Sequence, residues 1–327
     1  MSTIEKTFSA NALRIDCEKE TERISRCLNE YLDTYKKRGY VVALSGGIDS
    51  SVVAALCVQA VGSQRVLGLS MPEKDSSADT LMLSKMIADS LYIDKIEEDI
   101  TKVLKAVGCY RRRDEAIKSV IPEYNPDYKC KITLPGVLDD DQYRVFSVVV
   151  ESPEGVRTKA RLTAKAYLGI VAASNFKQRI RKMFEYYHAD RLNYAVTGTP
   201  NRQEYDQGFF VKNGDGSADI KPIAHLYKTQ VYQLAEYLGV PQEIQNRPPT
   251  TDTYSMEQSQ QEFYFSVPYD KMDICMFGKN HEIDMEKVAA AAGLSIEQLG
   301  RVYNDIDSKR KATRYLQKSP VLIQEVF

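Results

Sequence analysis

The chain has 327 residues, 43% of them hydrophobic and 27% charged, which suits an ordinary globular protein with one large α/β domain or two small ones. Its 44 Lys and Arg against 45 Asp and Glu leave a net charge of −1, so nothing supports nucleic acid or an anionic membrane as its main partner. The six scattered cysteines form no C-x-x-C pair and only three histidines are present, which argues against zinc and thiol-redox chemistry and suits a reducing cytoplasm. Met1 to Lys6 lacks an apolar signal core, and no run approaches membrane-spanning length.

Helical spacing runs from about Ala10 to Arg38, where Leu13, Ile15, Ile24, Leu28 and Leu32 fall among charges. Tyr40 to Leu44 is a short apolar run that reads as a buried strand, and Val52 to Val58 suits a buried helix. Between them lies Ser45-Gly46-Gly47-Ile48-Asp49-Ser50-Ser51. A glycine pair between strand and helix lets backbone approach a ligand closely, and the first-turn N–H groups favour an anion there. Ser45, Ser50 and Ser51 add hydroxyl donors. Asp49 would repel a phosphate unless a metal lay between them, so it reads as a Mg²⁺ ligand. The Walker pattern of Gly-x-x-x-x-Gly-Lys-Ser/Thr is not met. The plainer alternative is a glycine-rich turn with a capping Asp or Ser.

Arg65 to Met71 reads as a second strand, stopped by Pro72, and Ser76 to Leu91 as a helix. Asp94 to Ile100 follows as a short strand leading to a helix near Val103. This alternation predicts an α/β fold, a doubly wound parallel sheet with flanking helices and ligands at the strands' carboxyl ends. The pattern breaks from Cys109 to Glu154, where prolines and alternating stretches such as Tyr143 to Val150 predict an inserted β-rich segment, a hairpin or small sheet. Helical character returns from about Thr158 through His188, and Leu192 to Thr197 reads as the next strand. The whole chain, 1–327, reads as a single domain with an insertion at 109–154.

A second glycine turn follows that strand. Gly198 to Glu204 is a polar loop whose single acid, Glu204, could complete a metal site with Asp49. The turn from Gly214 to Asp219 can present Asp215. Lys228 opens a helix, where the dipole disfavours a cation, and a phosphate partner would explain it. Taken singly, each of these reads better as a surface loop; together, downstream of the Ser-Gly-Gly-x-Asp-Ser turn, they are harder to dismiss.

These residues resemble the NAD synthetase family of the ATP-pyrophosphatase fold. Its Ser-Gly-Gly-x-Asp-Ser motif is matched at Ser45 to Ser50, and its Asn-x-x-x-Arg helix motif by Asn175 and Arg179. Its Gly-Thr-x-Asn-Lys-x-Glu loop is matched at Gly198 to Glu204, with Arg202 for lysine and Pro200 within it. Further matches run from Gly208 to Asp219, from Leu226 to Val231 and at Tyr269-Asp270-Lys271-Met272-Asp273, while Pro248 to Thr253 is approximate. The resemblance covers nearly the whole chain outside the insertion.

The resemblance implies ATP-driven amide formation. A substrate carboxylate, that of nicotinate adenine dinucleotide (deamido-NAD), attacks the α-phosphorus of ATP, and ammonia then displaces AMP to give NAD. Carried over residue by residue, Ser45, Gly46, Gly47, Asp49, Ser50 and Ser51 would hold pyrophosphate and Mg²⁺. Thr199 would lie beside ATP, Glu204 would bind the metal, and Lys228 and Thr250 would contact phosphates. Asn175, Arg179, Lys212 and Asp215 would line the dinucleotide pocket. The segment from Pro248 to Ser266 would be a lid, and homodimerisation is a family expectation. Met71 to Ser77 looks like the form found in glutamine-using members, whose glutaminase domain this chain has no room for, so ammonia arrives free or from a separate glutaminase. The insertion precedes the helix of Asn175 and Arg179, and a remodelled pocket for another carboxylate is the alternative. A nucleotide-binding protein without catalysis is the non-enzyme reading. Asp49, Glu204 and Lys228 argue against it.

Overall fold

The computed structural model describes residues 8–138, 145–250, 253–265 and 267–324. Readings that fall on Met1 to Lys6, Tyr143, Arg144, Thr251, Asp252 and Ser266 lie outside the described residues. In chain order the strands are β1 (Tyr40–Ala43), β2 (Val66–Ser70), β3 (Asp94–Glu97), β4 (Lys129–Thr133), β5 (Ser147–Glu151), β6 (Arg157–Arg161) and β7 (Ala195–Val196). The helices are α1 (Cys17–Tyr35), α2 (Ile48–Val61), α3 (Ala78–Ser90), α4 (Thr101–Ala106), α5 (Cys109–Lys118) and α6 (Ala164–Leu192). They continue with α7 (Arg202–Gln207), α8 (Lys228–Tyr237), α9 (Gln242–Asn246), α10 (Tyr269–Asn280), α11 (Met285–Ala292) and α12 (Ile296–Thr313).

The central sheet is parallel, in the order β3-β2-β1-β7. Side chains alternate across a strand, so Tyr40 and Val42 enter a core with Leu28 of α1 and Val52 and Leu56 of α2. Val41 enters a different core, with Leu67, Leu69, Leu104 and Ala189. Helices therefore cover both faces, which is why the central strands β1 and β2 are buried along their length rather than alternating, while the edge strand β3 is Asp-Lys-Ile-Glu with exposed ends. Among the described residues, no helix is long and apolar enough to cross a membrane.

Several boundaries differ from the sequence expectation, most clearly around α6. Arg157–Arg161 is strand, not helix, and pairs antiparallel with β5, Thr158 facing Val150. Helix α6 starts only at Ala164, where the Thr163 side chain accepts from Ala166 N at 3.1 Å. It then runs through Leu192, so the next strand shrinks to Ala195–Val196. The N–H of Val196 is taken by the Asp219 carboxylate at 2.7 Å, and Thr197 bridges to Ile220.

The stretch from Cys109 opens with α5, which lies along α6, before the three-stranded sheet β4-β5-β6. The inner residues Cys130, Ile132, Val148 and Val150 share a core with Ile117 of α5 and Ile170 of α6. A C-terminal layer of α10, α11 and α12 closes on its own core of Met272, Cys275, Val288, Leu299 and Ile306. The carboxyl ends of β1, β2 and β7 open between these layers.

Candidate active site

The turn after β1 shows why two glycines stand there. Gly46 has φ +71°, and a Cβ on it would lie 2.8 Å from the Leu83 Cβ and 3.0 Å from the Thr80 carbonyl oxygen. Gly46 thus serves the close approach of α3. Gly47 is the N-cap of α2 and offers no side-chain cap, so the first-turn N–H groups of α2 are left for another acceptor. The Ser50 hydroxyl donates to the Gly47 carbonyl at 3.0 Å and sits 3.2 Å from the Ser45 hydroxyl. The buried Ser51 hydroxyl donates to the same carbonyl at 2.9 Å.

Asp49 points from α2 toward the end of β7. Its Oδ1 accepts from Asn201 Nδ2 at 3.0 Å, and its Oδ2 pairs with the Lys228 ammonium. Asn201 also caps α7. Its side chain accepts from Glu204 N at 3.2 Å, while its own N–H donates to Glu204 Oε2 at 3.0 Å. One residue therefore holds both acids. The other oxygen of Glu204 accepts from Gln260 Nε2 at 3.0 Å.

Burial, and then the nearby Asp49 carboxylate, push the Glu204 carboxyl up to about 8. The Lys228 ammonium is held above its ordinary range. Burial, the largest influence, opposes the charge, but Asp49 and Glu204 together outweigh it. The position of Lys228 at a helix start has a local cause too. Asp273 of α10 accepts from Lys228 N at 3.2 Å, Thr229 N at 2.7 Å and Gln203 Nε2 at 2.7 Å, offsetting the positive helix end.

Ser45, Gly47, Asp49, Ser50, Thr199, Glu204, Lys228 and Thr250 all line one cavity of about 770 Å³. Asn175, Arg179, Lys212 and Asp215 line the same cavity. There Arg179 Nε donates to the Lys212 carbonyl at 3.2 Å, and Asp215 accepts from Val211 N at 2.7 Å. Burial raises the Asp215 carboxyl, with Lys182 of α6 acting against it. Gly46 and Ser51 are not among the lining residues. Arg202 lies over the Tyr227 ring, 4.9 Å from its centre.

Sequence reasoning did not single out Asn201, Gln260 or the pair Lys182 and Glu185, bonded at 2.6 Å within the cavity wall. The Asn-x-x-Glu spacing of a capping box was the available signal for Asn201. Glu73 and Asp75, in the loop after β2, turn away from the cavity onto Lys177, which donates to them at 2.6 and 2.8 Å.

Two carboxylates beside an uncapped helix start are a donor set that fits Mg²⁺, which takes one or two carboxylates together with phosphate oxygens. Among the described residues, no group of three or more His, Cys, Asp or Glu could hold a metal alone.

Comparison with known proteins places the chain. The family described as NAD synthase matches residues 20–123 and 147–319. A relative named NH(3)-dependent NAD(+) synthetase, from Rhizobium meliloti (strain 1021), is 56% identical over 319 residues, covering 98% of this chain and 96% of its own. The solved NMN synthetase of Francisella tularensis superposes with a TM-score of 0.66 at 21% identity, covering 96% of this chain and 100% of its own. The solved NH3-dependent NAD synthetase of Campylobacter jejuni gives 0.62 at 22%, covering 95% and 100%. At such identities these two structures speak to the fold. The family match and the full-length relative together fix the assignment: the chain belongs to the NAD synthase family.

Proposed function

We infer that this chain amidates the carboxylate of nicotinate adenine dinucleotide with ammonia, at the expense of ATP, to give NAD, AMP and pyrophosphate. The supporting observation is one cavity lined both by Asp49, Glu204 and Lys228, at the starts of α2, α7 and α8, and by Arg179, Lys212 and Asp215. It suits two nucleotide-sized ligands meeting between them. A carboxylate is a poor acyl donor. Attack of its oxygen on the α-phosphorus forms a C–O–P link and breaks the α–β bridge, releasing pyrophosphate. Ammonia then forms the C–N bond as the C–O bond to AMP breaks.

The residues divide the work by chemistry. The first-turn N–H groups of α2, with Ser45 and Ser50, receive the departing pyrophosphate. Lys228, kept charged by its acids, neutralises the same oxygens. Asp49 and Glu204 would hold Mg²⁺, which when bound supplies positive charge to the phosphates. Arg179 and Lys212 fix the dinucleotide so that its carboxylate faces ATP. Two neighbours complete the picture. Leu168, Met183 and Tyr187, exposed along α6, suit a second copy of the chain, a homodimer. The six free cysteines suit the cytoplasm.

The test is turnover by the purified chain with Mg²⁺, ATP, ammonium and nicotinate adenine dinucleotide, with nicotinate mononucleotide as comparison. NAD, AMP and pyrophosphate should appear in equal amounts, faster from the dinucleotide. Preference for the mononucleotide, or AMP release without NAD, would overturn the assignment.

A further inference from the structure

The three-stranded sheet has an edge, β4, whose outward backbone groups need partners. The lid segment supplies them. Cys130 N donates to the Ser255 hydroxyl at 2.9 Å, and Met256 N donates to the Cys130 carbonyl at 3.2 Å. Two residues on, along the same edge, the Ile132 carbonyl accepts from Gln258 Nε2 at 2.6 Å. Gln258 is buried, only 2% exposed. Tyr254 is buried in the sheet's own core, and Lys177 donates to the Thr253 carbonyl at 2.9 Å. Past this seat the chain bridges back, Thr250 with Ser259, and Gln260 reaches Glu204. Strand β4 lies wholly within residues 124–146, the stretch that the family match leaves out. The β4 side of the seat thus lies outside the matched residues, and the Thr253 to Gln258 side within them.

We propose that the small sheet is the seat of the lid, and that Gln258 is a positioning residue which, by fixing the lid to β4, holds Gln260 against Glu204. The inference rests on the functional reading above. A lid without this seat must be ordered by the ligand itself, and ordering draws on binding energy. Its loss should therefore appear in the apparent affinity for ATP and Mg²⁺ more than in turnover at saturation.

The experiment is steady-state kinetics on full-length wild type, Gln258→Ala, Gln260→Ala and the double variant, with ATP and Mg²⁺ varied separately. Gln258→Ala should raise the KM for ATP and the half-saturating Mg²⁺ concentration by about five- to tenfold, the loss expected for one buried hydrogen bond, with kcat within about twofold. Gln260→Ala, which leaves the seat intact, should reproduce the Mg²⁺ effect. The double variant should be no worse in Mg²⁺ requirement than Gln260→Ala, because both act through one link. Additive losses, or a fall in Tm with KM and Mg²⁺ requirement unmoved, would overturn the proposal. Wild-type turnover separates the two failures. No NAD from wild type sinks the functional reading, whereas normal wild-type turnover beside unmoved variants sinks this inference alone.

Discussion

Replacing Lys228 with Met keeps most of the side chain's volume and removes its charge. Asp49 and Glu204 then share Asn201 with the Lys228 ammonium gone. Removing one partner of a buried pair costs about 3–5 kcal/mol. Asp49 keeps some contact with solvent, its side chain 16% exposed, so the lower part of that range applies, about 3–4 kcal/mol. An unfolding entropy of about 2.1 cal/mol/K per residue gives roughly 0.7 kcal/mol/K for a chain of 327 residues. Lys228→Met should therefore melt about 4–6 °C below wild type in EDTA, by differential scanning calorimetry. Titrating Mg²⁺ should then raise the variant's Tm more than that of wild type, because its two acids no longer have a competing ammonium. Equal melting without metal, or equal shifts with it, would refute the idea that these acids form a cation site balanced by Lys228.

The raised Glu204 carboxyl, at about 8 through burial and then Asp49, keeps its proton in the fold where the unfolded chain has lost it, so its contribution to stability falls as pH rises from about 4.5 to 8. Glu204→Gln should flatten that slope, and parallel urea midpoints for the two proteins at pH 5.5 and 8.5 in EDTA would contradict it. Asn201→Ala should lose about 1–2 kcal/mol with the α7 cap, and Asn201→Ser should recover that stability in urea titration. Both should fall at least tenfold in kcat/KM, since neither side chain reaches Asp49, and an Asn201→Ser enzyme at wild-type rates would disprove the bridging role. Gly46→Ala should cost more than about 1 kcal/mol, because it is strained at φ +71° and meets Leu83 and Thr80. A thermal melt at the wild-type temperature would show that α3 can yield.

The strand-turn-helix around Asp49 was legible because its signals are local: an apolar run, a glycine pair and a second apolar run, all within Tyr40 to Val58. Glu204 was legible as the lone acid of a polar loop. Lys228 was noticed because a cation at a helix start is anomalous, but its partner, 179 positions away, follows only from the fold. The same holds for Gln260, which carries no local signature, and for the partners of Asp273, which closes a motif match but whose hold on Lys228 and Thr229 follows only from the fold. The misplaced start of α6 has a different cause. Arg157-Thr158-Lys159-Ala160-Arg161 lies with Arg157, Lys159 and Arg161 exposed, so its alternation is between charge and small side chains and gives little apolar signal. Likewise the outer side of β7 meets no full strand: the Asp219 carboxylate accepts from Val196 N, and Ile220 makes only an isolated bridge with Thr197.

Asp273 belongs to α10, yet it secures the opening turn of the helix that aims Lys228. The last third of the polypeptide is thus wired into the candidate active site. A tag, fusion or truncation that loosens α10 should silence the enzyme well before spectroscopy reports any missing helix.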